Sequence, residues 1–117
     1  MNYLARKIII WYAQKSWAEE VFDDICSHLP PDSNYKISKK YLFLHDDNGL
    51  ILEMVHADDC GRRYRAHENY IQSGIDRTIY RDIIAPHLMQ PSSEAWVISE
   101  ARQIYQGATR ASDYYDL

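Results

Sequence analysis

The stretch KIIIWYAQKSWAEEVFDDICSHLPP, Lys7 to Pro31, decides the fold class. Its first part, Lys7 to Ala13, is an unbroken β-branched and aromatic run, the pattern of a strand buried on both faces. The period then changes. Ser16 with Glu19 three residues on has the form of a capping box, Trp17, Val21, Ile25 and Leu29 fall on one helical stripe, and Pro30-Pro31 stops the helix. A two-sided strand, a short turn and an amphipathic helix are half of a crossover unit, so an α/β domain is expected.

Further along, NYKISKKYLFLHDDNGLILEMVHA, Asn34 to Ala57, reads as a hairpin. Tyr35, Ile37, Tyr41 and Phe43 alternate, Asp46-Asp47-Asn48-Gly49 supplies turn chemistry, and Leu50 to Val55 returns. AHENYIQS, Ala66 to Ser73, reads as a short strand. IDRTIYRDIIAPHL reads as a helix capped by Asp76, with Ile79, Ile83 and Ile84 inward and Pro86 near its end. SSEAWVISEARQIYQGA has apolar residues at Val97, Ala101, Ile104, Tyr105 and Ala108, which predicts a last helix capped by Ser92 or Ser93. The expected architecture is one α/β domain over residues 1–110, a mixed sheet with a central hairpin flanked by about three helices. Residues 111–117, lacking a burial pattern, are expected to form a flexible tail.

Composition narrows the function. A chain of 117 residues with 46% hydrophobic content can bury a core without disulfides or metal. A net charge of −4 supplies no global basic field for coating nucleic acid. Cys26 and Cys60 share no CxxC or zinc-type spacing, and the five histidines show neither HxH nor HExxH, so neither a metal site nor a cofactor is expected. The apolar run near the start is too short for a signal-peptide core or a membrane span, which points to a cytoplasmic protein without a membrane partner.

The order of elements, with KIIIWYAQKSWAEEVFDDI and DNGLILEMVHADDCGRRYRAHENYIQSGIDRTIYRDIIAPHL, resembles part of the RecA-like ATPase core used by phage terminase large subunits. The resemblance spans roughly residues 7 to 88 and rests on pattern, not on invariant motif. It implies a phage-type protein in contact with a nucleic-acid-handling complex of the host or of its defences. It also implies acids at Gln72 and Ser73, where neither residue can act as an anionic metal ligand or a carboxylate base. No GxxxxGK[ST] occurs, and six residues before the first strand are too few for a strand, a phosphate loop and a helix. On this resemblance the chain is a degenerate, non-catalytic remnant. Such a chain would bind and block or redirect the complex it contacts.

Arg62, Arg63 and Arg65 around Tyr64 form the one concentrated cationic cluster, with Lys36, Lys39 and Lys40 expected near the same edge. Guanidinium forks suit carboxylates and phosphates, and aromatic rings suit unstacked bases. These seven residues are the candidate partner- or phosphate-binding set. The alternative function is binding of single-stranded nucleic acid or a nucleotide through the arginine cluster. Asp58, Asp59 and Glu68 flank that cluster and favour a protein partner over a phosphate backbone. Glu19, Glu20, Asp23 and Asp24 give the first helix an acidic face, which is usually only solvated. A Cys60 nucleophile lacks an orienting group at any informative spacing. Read as an EF-hand with Gly49 at its sixth position, the turn would put Leu44 and Val55 where oxygen ligands are required.

Overall fold

The computed structural model describes residues 6–32, 34–58, 66–88 and 94–115. Strand β1 (Arg6–Tyr12) holds five consecutive buried residues, Ile8 to Tyr12, as the two-sided run requires. It lies inside a mixed seven-stranded sheet of order β2-β3-β4-β1-β5-β6-β7. The other members are β2 (Tyr35–Ser38), β3 (Phe43–Asp46), β4 (Leu50–His56), β5 (Glu68–Gln72), β6 (Glu94–Ile98) and β7 (Thr109–Arg110). β4, β1, β5 and β6 run parallel, while β2, β3 and β7 are antiparallel to their neighbours.

Alternation along β1 divides the core in two. Ile8, Ile10 and Tyr12 face helix α1 (Lys15–Ser27), meeting Ala18, Val21, Phe22 and Ile25. The short helix α3 (Arg102–Gln106) joins that layer through Ile104, beside the buried Ala101. Ile9 and Trp11 face the other way, toward Ile75, Ile84, Ala111 and Tyr115. This second layer consists of α2 (Arg77–Ile79), its π and 3-10 continuations over Tyr80–Ile84 and Ala85–His87, and α4 (Ala111–Tyr115). The chain is therefore an α/β domain with helices on both faces of its sheet.

Several local expectations change. Helix α1 begins at Lys15 with Gln14 as its N-cap and no side-chain cap bond, so the Ser16–Glu19 capping box does not form. The run from Tyr35 to Phe43 is not one strand. It breaks at Lys39 to Leu42, where Leu42 takes φ 51° and buries its side chain, so the hairpin becomes a three-stranded meander. Gly49, at φ 95°, makes the expected turn between β3 and β4, a conformation that disfavours side chains with a Cβ.

Asp76 caps α2 as expected, its carboxylate accepting the Thr78 N–H at 2.7 Å. The helix then widens, the Ala85 N–H reaching the Tyr80 carbonyl, and closes in a 3-10 turn holding Pro86, which has no N–H to continue an α-helical ladder. The predicted last helix is replaced at its start by β6, which pairs in parallel with β5 from Glu68↔Glu94 to Gln72↔Ile98. Trp96, Val97 and Ile98 are aromatic or β-branched, and their helical spacing with Ala101 yields to burial between β5 and β7. Described residues beyond 110 are packed as well. Ala111 and Tyr115 are buried and the Tyr115 ring stacks on Tyr80 at 4.4 Å, which no loose tail would do.

Candidate functional site

In open α/β sheets a ligand crevice opens beyond the carboxyl ends of parallel strands, where the chain reverses its direction of travel across the sheet. Here that point lies between β1 and β5. From β1 the chain passes to β4 on one side, and from β5 it passes to β6 on the other. α1, which follows β1, covers one face, and α2, which follows β5, covers the opposite face.

Part of this crevice is bonded internally. Gln72, the last residue of β5, is buried, and its Oε1 accepts the Ala13 N–H at 2.7 Å and the Gln14 N–H at 3.2 Å. Its Nε2 lies 3.4 Å from Gln14 Oε1. These two N–H groups lie just before the first turn of α1, at the turn where an anion could otherwise be bound. Residue 72, notable in sequence for not being an acid, is in the fold an amide that bridges two strand ends. Ser73 is exposed and its N–H bonds the Ile98 carbonyl at 2.7 Å, joining β5 to β6.

A second concavity of about 450 Å3 separates α1 from α3. Trp17, Glu20, Asp24, His28, Glu100 and Arg102 are among its walls. The Trp17 indole donates to the Ser99 carbonyl at 2.7 Å, and Arg102 is engaged by Glu100 at 2.6 Å. Glu20 and Asp24 of the acidic helix face thus line a groove, while Asp23 turns to Lys39 at 3.3 Å.

Of the seven candidate binding residues, Arg62, Arg63, Tyr64 and Arg65 lie outside the described residues, as does Cys60. The three lysines occupy the β2 end of the sheet. Lys36 is exposed on β2, Lys39 stands in the turn after it, and Lys40 Nζ sits 5.3 Å from the Tyr41 ring. Ile37 and Tyr41, expected on an alternating core face, are instead 44% and 69% exposed beside them. For Tyr41 the break at Lys39–Leu42 ends the alternation, and Ile37 stands on the strand at the end of the sheet. The paired lysines were the one visible trace of that exposure.

Cys26 is half-buried, and burial pushes its thiol pKa up, with Asp23 adding to the rise and Lys39 opposing it, which disfavours a thiolate. Among the described residues no group of three or more potential metal ligands comes together, and no helix is long and apolar enough to cross a membrane. Comparison with family models, curated proteins and solved structures finds no match.

Proposed function

We propose that this chain is a non-catalytic binding domain that acts by docking on a partner complex. The observation that carries this reading is Gln72, whose amide oxygen takes the Ala13 and Gln14 N–H groups at the point where a doubly wound sheet would receive a ligand. With two backbone donors of that crevice already bonded by Gln72, we read the exposed surface as the working part of the molecule. The Lys36–Tyr41 end of the sheet, with two exposed large apolar side chains among three lysines, is the surface best suited to contact. The resemblance of residues 7 to 88 to a terminase ATPase core supports a more specific proposal: the partner is a nucleic-acid-handling host or defence complex, which the domain blocks or redirects.

Two measurements test the proposal together. Titration calorimetry with Mg-ATP should give no binding, and the full chain used as bait in a bacterial lysate should retain one complex at moderate salt. Micromolar ATP binding or measurable turnover overturns it. Submicromolar binding of single-stranded oligonucleotides, abolished by the double change Arg62→Ala and Arg63→Ala, transfers the function to nucleic-acid binding, with affinity falling steeply as salt rises.

A further inference from the structure

We infer that the open edge of β2 takes an extended, acidic segment of a partner protein by strand addition. The inference rests on the reading of the chain as a binding domain, and it names the surface and the chemistry of the occupant. Among the described residues β2 ends the sheet, and the opposite end is closed by β7, only two residues long and followed at once by α4. The Asp47 N–H bonds the Asn34 carbonyl at 3.2 Å, and the ladder continues as Lys36↔His45 and Ser38↔Phe43. In an antiparallel ladder residues alternate between bonding inward and facing outward. The N–H and C=O groups of Tyr35 and Ile37 therefore face the open edge.

The side chains at this edge select the occupant. Lys36 has no ion pair among the described residues, Lys40 has only the Tyr41 ring, and Lys39 is already engaged by Asp23. Asp32, Asp47 and Asn34 stand at the start of β2, so positive charge gathers at Lys36 and at the Ser38 end. Lysine on an edge strand guards against pairing with like strands. A second copy aligned so that both outward-facing residues bond would set the two Lys36 side chains directly opposite each other, and like charges so placed are destabilising. A strand bearing carboxylates meets the reverse situation, while Ile37 and Tyr41 give it apolar contact. In such strand addition, main-chain bonds supply affinity and alternate side chains supply specificity.

The probe is a labelled peptide of about eight residues, a common strand length, alternating valine and glutamate. Controls replace glutamate with lysine, or interrupt the glutamate peptide with prolines. Ile37→Pro is the deciding variant. It deletes an N–H that faces the edge, a position where proline is tolerated in sheets, so β2 keeps its bonds to β3. The glutamate peptide should bind and slow hydrogen exchange at the Tyr35 and Ile37 amides, and neither control should do so. Ile37→Pro should weaken binding about tenfold, the scale of a lost hydrogen bond. Lys36→Glu should reverse the preference toward the lysine peptide.

Absence of slowed exchange at Tyr35 and Ile37 overturns the inference. So does protection of those amides by an oligonucleotide, or by concentration-dependent self-association in sedimentation. A partner complex that Ile37→Pro retains undiminished overturns strand addition while leaving the binding reading intact. A bait that retains nothing, with Mg-ATP bound, fails the binding reading itself.

Discussion

Gln72 and Tyr115 show how single polar groups settle opposite accounts in this core. Gln72 bonds two backbone donors from a segment 58 and 59 residues away. Gln72→Ala leaves the Ala13 and Gln14 N–H groups to partial solvation and should cost about 1–2 kcal/mol. Gln72→Glu keeps the acceptor and should cost less. Urea melts check both, and equal costs would show that Gln14 Oε1, not the N–H pair, is the partner that matters.

Tyr115 is the converse case. Its hydroxyl is buried without a hydrogen-bond partner among the described residues, and burial, with Tyr114 and Tyr80 adding, pushes its pKa up to about 12. The unfolded value is about 10, so the folded state favours the neutral phenol. That contribution is complete below about pH 10 and is lost as the pH climbs through the folded value. Tyr115→Phe should leave stability at neutral pH unchanged or raise it by about 1 kcal/mol, and should reduce the alkaline loss. A marked destabilisation at neutral pH would reveal a partner for the hydroxyl.

Among the elements, the segment from Asp76 to His87 carries its own test. The Asp76 carboxyl pKa is lowered, first by the Thr78 hydroxyl and then by the Thr78 N–H. A lowered folded value means stability that is present above the unfolded aspartate value, about pH 4, and lost as pH falls through the lower folded one. Asp76→Ala should reduce the urea midpoint at neutral pH, and its difference from the parent chain should shrink in acid. One turn further on, Ile84 is fully buried whereas Ile83 is half-buried. Ile84→Ala should cost roughly 2–5 kcal/mol, as core truncations do, and Ile83→Ala less. Both residues lie in the π turn, whose wider winding leaves Ile84 as its one buried residue.

For the whole molecule, the controlling feature is that one central strand belongs to two cores. Ile8, Ile10 and Tyr12 pack into the α1 layer, and Ile9 and Trp11 into the other. Loosening either layer strips the apolar cover from one side of the strand on which the other layer also rests, so unfolding should be a single transition. A variant retaining only Trp11 reports the second layer, and one retaining only Trp17 reports the first. Their urea transitions, followed by fluorescence, should coincide with loss of circular dichroism. Two separated transitions would mean that the layers fold independently.

Sequence alone determined the α/β class, because a run buried on both faces, Ile8 to Tyr12, followed by a short turn and an amphipathic helix is half of a crossover unit. It also determined the Gly49 turn and the Asp76 cap, whose chemistry acts over a few residues. Tertiary structure alone decided that Glu94–Ile98 is a strand, since its apolar spacing suits a helix until β5 offers a ladder. It likewise broke the Tyr35–Phe43 run and left Ile37 and Tyr41 outside the core. It gave Gln72 a role that no local pattern announces. These outcomes depend on groups far apart in the chain, whose pairing free energy appears only once the sheet has assembled.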